Sequence, residues 1–141
     1  MLKGNRVYIA SKVNLKESEV RTLRSKLEGL GYAIIYDWTK TVVPKPFTAY
    51  SLEAHKAAEK MAKAVMRCDI LIVLLAPNGL GMHIETGGAL VASIILQFVA
   101  GQRRKRIFIV GEGNDRSVFY FHDSVERVPN IDAVLVKLSP P

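Results

Sequence analysis

One carboxylate stands out by its surroundings. In "GLGMHIETGGALVASIILQFVAG", residues 79–101, Glu85 sits at the mouth of a run that is otherwise apolar or glycine-rich. Gly79 and Gly81 allow tight turning and close approach of a ligand to the backbone, and the free N–H groups that begin a helix attract anions. A carboxylate near a helix N-terminus complements its dipole, worth about 0.3–1 kcal/mol. Ile84, Gly87, Gly88 and Ala89 make this position apolar and close-packed, an expensive place for a charge without a chemical use. The spacing is not that of a dinucleotide-binding turn, because the third glycine of G-x-G-x-x-G would fall on Ile84. No Gly-Lys-Ser/Thr is present either, so no nucleotide cofactor is expected. A single cysteine, Cys68, and three unpatterned histidines, His55, His83 and His122, predict neither a disulfide nor a metal site.

Short apolar runs alternate with helical patterns along the chain. Residues 6–10, 33–38, 69–76 and 106–111 read as strands. The first helix carries Val20, Leu23, Leu27 and Leu30 on one stripe, with Asn14 and Glu17 at capping-box spacing before it and Gly31 to stop it. The second runs from about Ser51 to Arg67, with Ala54, Ala57 or Ala58, Met61 and Val65 inward. The third begins near Met82. After Ser117, "SVFYFHDSVERVP" reads as loop, short strand or both, and "NIDAVLVKL" as a final helix or strand. Strands that are apolar throughout belong to parallel sheets covered on both faces. The expectation is one α/β domain over residues 1–141, a doubly wound, flavodoxin-like or Rossmann-like parallel sheet of about five strands. The two-proline segment 42–50 is a candidate lid.

In such sheets ligands bind beyond the carboxyl ends of the strands, where strand order reverses. That rule selects Ser11 and Lys12 after the first strand, Asp37 and Trp38 after the second, and Asn78, Gly79, Gly81, Met82 and His83 at the turn into the third helix. Trp38 either stacks a base or anchors the core edge, and Asp37 either binds the base or caps its loop. Ser11, Lys12 and the N–H groups of residues 79–81 are candidates to hold a phosphate.

Composition sets the limits. Hydrophobic residues make up 49% and charged residues 23% of 141 residues, values of a folded chain, and the net charge of +7 favours anionic ligands. The run "QRRKR" (102–106) reads as a solvated turn complementing a helix C-terminus. It has no interleaved aromatic residue for stacking, so nucleic acid is not an expected partner. The N-terminus has no apolar signal core and Gly88–Gly101 is too short to span a bilayer, which predicts a cytoplasmic protein with no membrane partner. Leu90, Val91, Ile94, Ile95, Phe98 and Val99 surround the third helix. It is therefore either central to the domain or buried against a second subunit, and a homodimer or larger homo-oligomer is expected.

"GMHIETGGAL" resembles the signature of the nucleoside 2-deoxyribosyltransferase family. "VYIAS", "YDWT" and "CDILIVLL" are similar to that family's other blocks in order and spacing, so the resemblance covers residues 6 to about 111. It implies that Glu85 is a nucleophile that attacks C1′ of a 2′-deoxynucleoside, expels the base and holds the sugar as an ester. A second base then takes the sugar in transferases, and water takes it in the related 2′-deoxynucleoside 5′-monophosphate hydrolases. The chemistry is coherent: a carboxylate stabilises an oxocarbenium-like transition state, and two displacements replace one difficult step. Tyr8 stands at a position from which the resemblance implies a hydrogen bond to Glu85; a strand aromatic there equally fills the core. The resemblance also implies that Ser117 serves a neighbouring subunit's site. One departure stands out. The family's second-helix Asp would fall eight residues before Asp69, at Met61, with Glu59 the nearest carboxylate. Either Asp37 or Glu59 substitutes, or that function is missing and the scaffold is a non-catalytic nucleotide-binding module.

Overall fold

The computed structural model describes residues 4–12 and 17–141. Asn14, half of the expected capping box, lies outside the described residues. Five strands, β1 (Arg6–Ser11), β2 (Ala33–Ile34), β3 (Ile70–Leu74), β4 (Arg106–Val110) and β5 (Val125–Val128), form one parallel sheet in the order β2-β1-β3-β4-β5. This is the doubly wound, flavodoxin-like arrangement expected from the apolar strands. Four helices connect or follow them: α1 (Glu17–Gly29), α2 (Ser51–Arg67), α3 (Leu80–Ala100) and α4 (Ile131–Leu138). The chain steps one way from β1 to β2 and the other way from β2 to β3. Right-handed crossovers therefore put α1 and α2 on opposite faces; α4 packs beside α1, and α3 beside α2.

The central strands are buried on both faces, which is why β3 reads ILIVL without alternation. Register runs Val7 to Ile70 and Ile70 to Arg106, so Ser11, Leu74 and Val110 end level with one another. The switch in strand order lies between β1 and β3, where the first and third strands deliver Ser11 and the turn into α3. Strand β2 pairs over only two residues rather than the six of the 33–38 run. Beyond Ile34 the backbone departs to a 3-10 turn at Trp38–Lys40, held by the Asp37 cap. The ambiguous tail resolves into a 3-10 turn at Val118–Phe121, strand β5 and helix α4.

Two expectations are corrected. Lys105 belongs to no solvated turn: it is 6% exposed, its amide donates to Ser93 Oγ at 2.9 Å, and its ammonium donates to Met66 O at 2.6 Å and to Cys68 O. Gln102, Arg103 and Arg104 remain exposed as expected. Lys105 thus fastens the C-terminal carbonyls of α2 to α3 and the start of β4, a favourable place for a cation. Lys105→Met is expected to cost about 2 kcal/mol by leaving buried carbonyls unpaired. Urea unfolding with an unchanged midpoint would refute that assignment.

The second correction concerns α3. It runs 21 residues, long and apolar enough by composition to cross a membrane, yet only 28% of its apolar window is buried. Met82, Thr86, Ala89, Leu90 and Ser93 pack inward, while Ile84, Val91, Ile95, Phe98 and Val99 are exposed. The helix is not central to the domain, because a full apolar face looks outward.

Candidate active site

Gly79 opens α3, and the residue in left-handed conformation is its neighbour Asn78, at φ 60°. Gly79 serves packing rather than ligand approach: a Cβ there would stand 2.4 Å from Met82 Cε. Met82 is 2% exposed and packs in the core, where the expectation had it facing a ligand. At Gly81 a Cβ would stand 3.9 Å from Glu85 Oε1, an ordinary contact that shows the carboxylate lying back over the first helical turn.

Glu85 therefore leaves α3 on the flank that faces β1. Tyr8, wholly buried in the middle of β1, reaches it from below. The two groups are adjacent without a well-formed hydrogen bond: Tyr8 Oη and Glu85 Oε2 are both buried and both unpartnered. Burial pushes the Glu85 carboxyl up to about 7, against the smaller downward pull of the Tyr8 hydroxyl. Burial first, then the Glu85 charge, drives the Tyr8 phenol well above its ordinary value, so it stays protonated. Tyr36 stacks on Tyr8 with ring centroids 6.4 Å apart and also has an unpartnered hydroxyl. Sequence reasoning passed over Tyr36, although it stands in the quoted "YDWT".

The remaining expected residues divide into three places. Ser11 ends β1 nearly buried, its hydroxyl donating to Lys12 O at 3.5 Å. Lys12 Nζ donates to Pro77 O at 3.4 Å and so ties the end of β1 to the turn into α3. Asp37 and Trp38 form a separate structural unit. The Trp38 indole is 3% exposed and donates to Ile9 O at 2.8 Å, so it anchors the loop and offers no face for stacking a base. Asp37 pairs with Arg24 and accepts from the Thr39 amide at 3.1 Å and from its hydroxyl. Burial alone would raise its pKa; the Thr39 bonds and the Arg24 charge outweigh that and hold it below the ordinary value. Asp37 is thus committed to Arg24 and to capping its own loop. Glu59 is exposed on α2 and bonded to Lys63 at 2.8 Å, and Met61 packs against the core.

Asn78, His83 and Ser117 gather on the opposite flank of α3. They line a cavity of about 1420 Å³ over the ends of β3 and β4, together with Glu112, Arg116 and Asp132. It exists because the β4–β5 connection carries only the Val118–Phe121 turn and no α-helix. His83 Nδ1 and Tyr120 Oη lie 3.2 Å apart and join that turn to α3. Ser117 caps the same turn by accepting from the Phe119 amide at 3.3 Å. Glu85 is not among the cavity's walls. This cavity and the carboxyl lifted to about 7 are thus different places. Among the described residues no cluster of three His, Cys, Asp or Glu side chains could hold a metal.

No protein-family model matches the sequence, and no curated protein does. Among solved structures the chain is similar to the Clostridium botulinum CMP N-glycosidase BcmB, with 18% identity and a TM-score of 0.60. The similarity covers 94% of this chain and 97% of that one. At this identity it establishes the shared fold.

Proposed function

We propose that this chain is an enzyme that breaks the N-glycosidic bond of nucleosides or their 5′-monophosphates, with Glu85 as nucleophile. The observation that carries the reading is the Glu85 carboxyl itself: buried, unpartnered and lifted to about 7, at the ligand end of the β1/β3 switch. Glu85 forms a bond to C1′ while the C1′–N bond breaks and its electron pair leaves with the base. Water then takes the sugar, or a second base does in a transfer. The likeness to a CMP N-glycosidase over nearly the whole chain supports the same chemistry. Tyr8 positions and tunes the carboxylate, and Lys12 with the amides of residues 79–81 suits a 5′-phosphate.

Incubation with a panel of ribo- and 2′-deoxynucleosides and their 5′-monophosphates is expected to yield free base, resolved by chromatography. Binding without release would instead favour a nucleotide-binding module. The large cavity on the other flank of α3 gives that second reading its support, because its mostly apolar walls carry Asn78, Arg116 and Ser117 away from Glu85.

The same proposal includes a homodimer built on the outward face of α3. Phe98 is 91% exposed there, and Phe119 and Phe121 are exposed on the 3-10 turn that His83 and Tyr120 join to α3. An exposed apolar helix face of this kind marks an association site. Size exclusion is expected to show a dimer, and Phe98→Glu to shift it toward monomer; a monomeric wild type at working concentration would rule the interface out.

A further inference from the structure

Among the described residues Glu85 is short of two neighbours. The first is a cation: in a chain of twenty Lys and Arg, no ion pair joins Glu85 to a Lys, Arg or His among the described residues. The second is a proton donor. All thirteen acidic residues lie among the described residues, so each possible carboxyl donor can be placed. Asp37 is held by Arg24 and Thr39, and Glu59 by Lys63 on an exposed helix face. Asp69 pairs with Arg6 at the amino end of the sheet, and Glu126 with Arg106. Glu19, Glu112 and Asp132 line the cavity on the other flank of α3, and the remaining five lie on the outer surface. His83 is turned to Tyr120 at that same cavity, His55 lies beside Glu59 on α2, and His122 accepts from the Ser124 amide. Tyr8 and its stacked neighbour Tyr36 are both raised by burial and hold their protons more tightly than free phenols.

These absences have one chemical consequence. A neutral base departs as an anion unless an acid protonates it, whereas a base that already carries a positive charge departs neutral. We infer that the substrates of this site are nucleosides or nucleotides whose base is cationic, of the N-alkylated purine or pyridinium class. This rests on the N-glycosidase reading above. The base's charge supplies the cation that the carboxylate lacks among the described residues, and no proton is needed for departure. In the first step a Glu85 oxygen bonds to C1′, the C1′–N bond breaks, and its electron pair cancels the charge on the ring nitrogen. In the second, water attacks C1′, the ester bond breaks to regenerate the carboxylate, and one proton passes to solvent.

The test pairs each cationic probe with its uncharged counterpart: 7-methylguanosine with guanosine, and nicotinamide riboside with its dihydropyridine form. Each is used as ribo- and 2′-deoxynucleoside and as 5′-monophosphate. With the full chain, and after subtraction of spontaneous loss, kcat/KM for base release is expected to favour the cationic member about 100-fold or more, the contribution a missing general acid leaves unmade. Equal or faster cleavage of the uncharged members overturns the inference and leaves the glycosidase reading standing. Absence of release from every probe overturns both.

Discussion

Glu85→Gln is expected to lower base release by about a thousandfold or more with any substrate the protein cleaves, because it removes the attacking oxygen and keeps the shape. The variant is a fair test because the position already tolerates a neutral group: burial brings the carboxyl to about 7, so near neutral pH about half the molecules carry an uncharged side chain there. Loss of activity would then report lost chemistry and not lost folding. The wild-type rate has a matching signature. Only the ionised carboxylate attacks, so kcat/KM rises through about pH 7 and flattens above it. The Tyr8 hydroxyl pulls the Glu85 pKa down, so Tyr8→Phe is expected to move that limb to higher pH. A pH profile of base release for the three proteins checks the argument; residual activity above a few per cent in Glu85→Gln would remove Glu85 from the nucleophile's role.

How far the sequence could reach depended on the kind of force at work. Helix α2 ends where its pattern ended, at Ser51 and Arg67, and the stripe of Val20, Leu23 and Leu27 is buried as spaced. Burial of this sort repeats along the chain and shows in its period. The end of β2 does not, because what stops pairing after Ile34 is the indole of Trp38 reaching back to Ile9 and the Asp37 pairing with Arg24. Both are contacts between distant positions. Lys105 fails for the same reason: inside a basic run it resembles its neighbours, and only the carbonyls of α2 single it out. Glu85 was legible because its glycine turn, its apolar flanks and the strand order all bear on one residue. That the same turn sends His83 to the opposite flank needs the helix itself, since residues two apart on a helix stand about 200° apart.

The burial that lifts the Glu85 carboxyl also costs stability, and the sign of that cost can be measured. Its folded-state pKa, about 7, lies above the 4.5 of an exposed carboxyl, so the folded state holds the proton more tightly. Stability from this residue is therefore full below pH 4.5, falls as pH rises from 4.5 to 7, and stays lost above that. A displacement of this size corresponds to about 3 kcal/mol at about 1.4 kcal/mol per pKa unit. Glutamine at position 85 cannot ionise and escapes the loss. The variant is expected to match wild type near pH 4.5 and to exceed it by about 3 kcal/mol at pH 8, roughly 10 °C in Tm for a domain of this length. Thermal unfolding of both proteins at the two pH values gives the comparison. A difference independent of pH would mean that Glu85 is not desolvated as the fold places it.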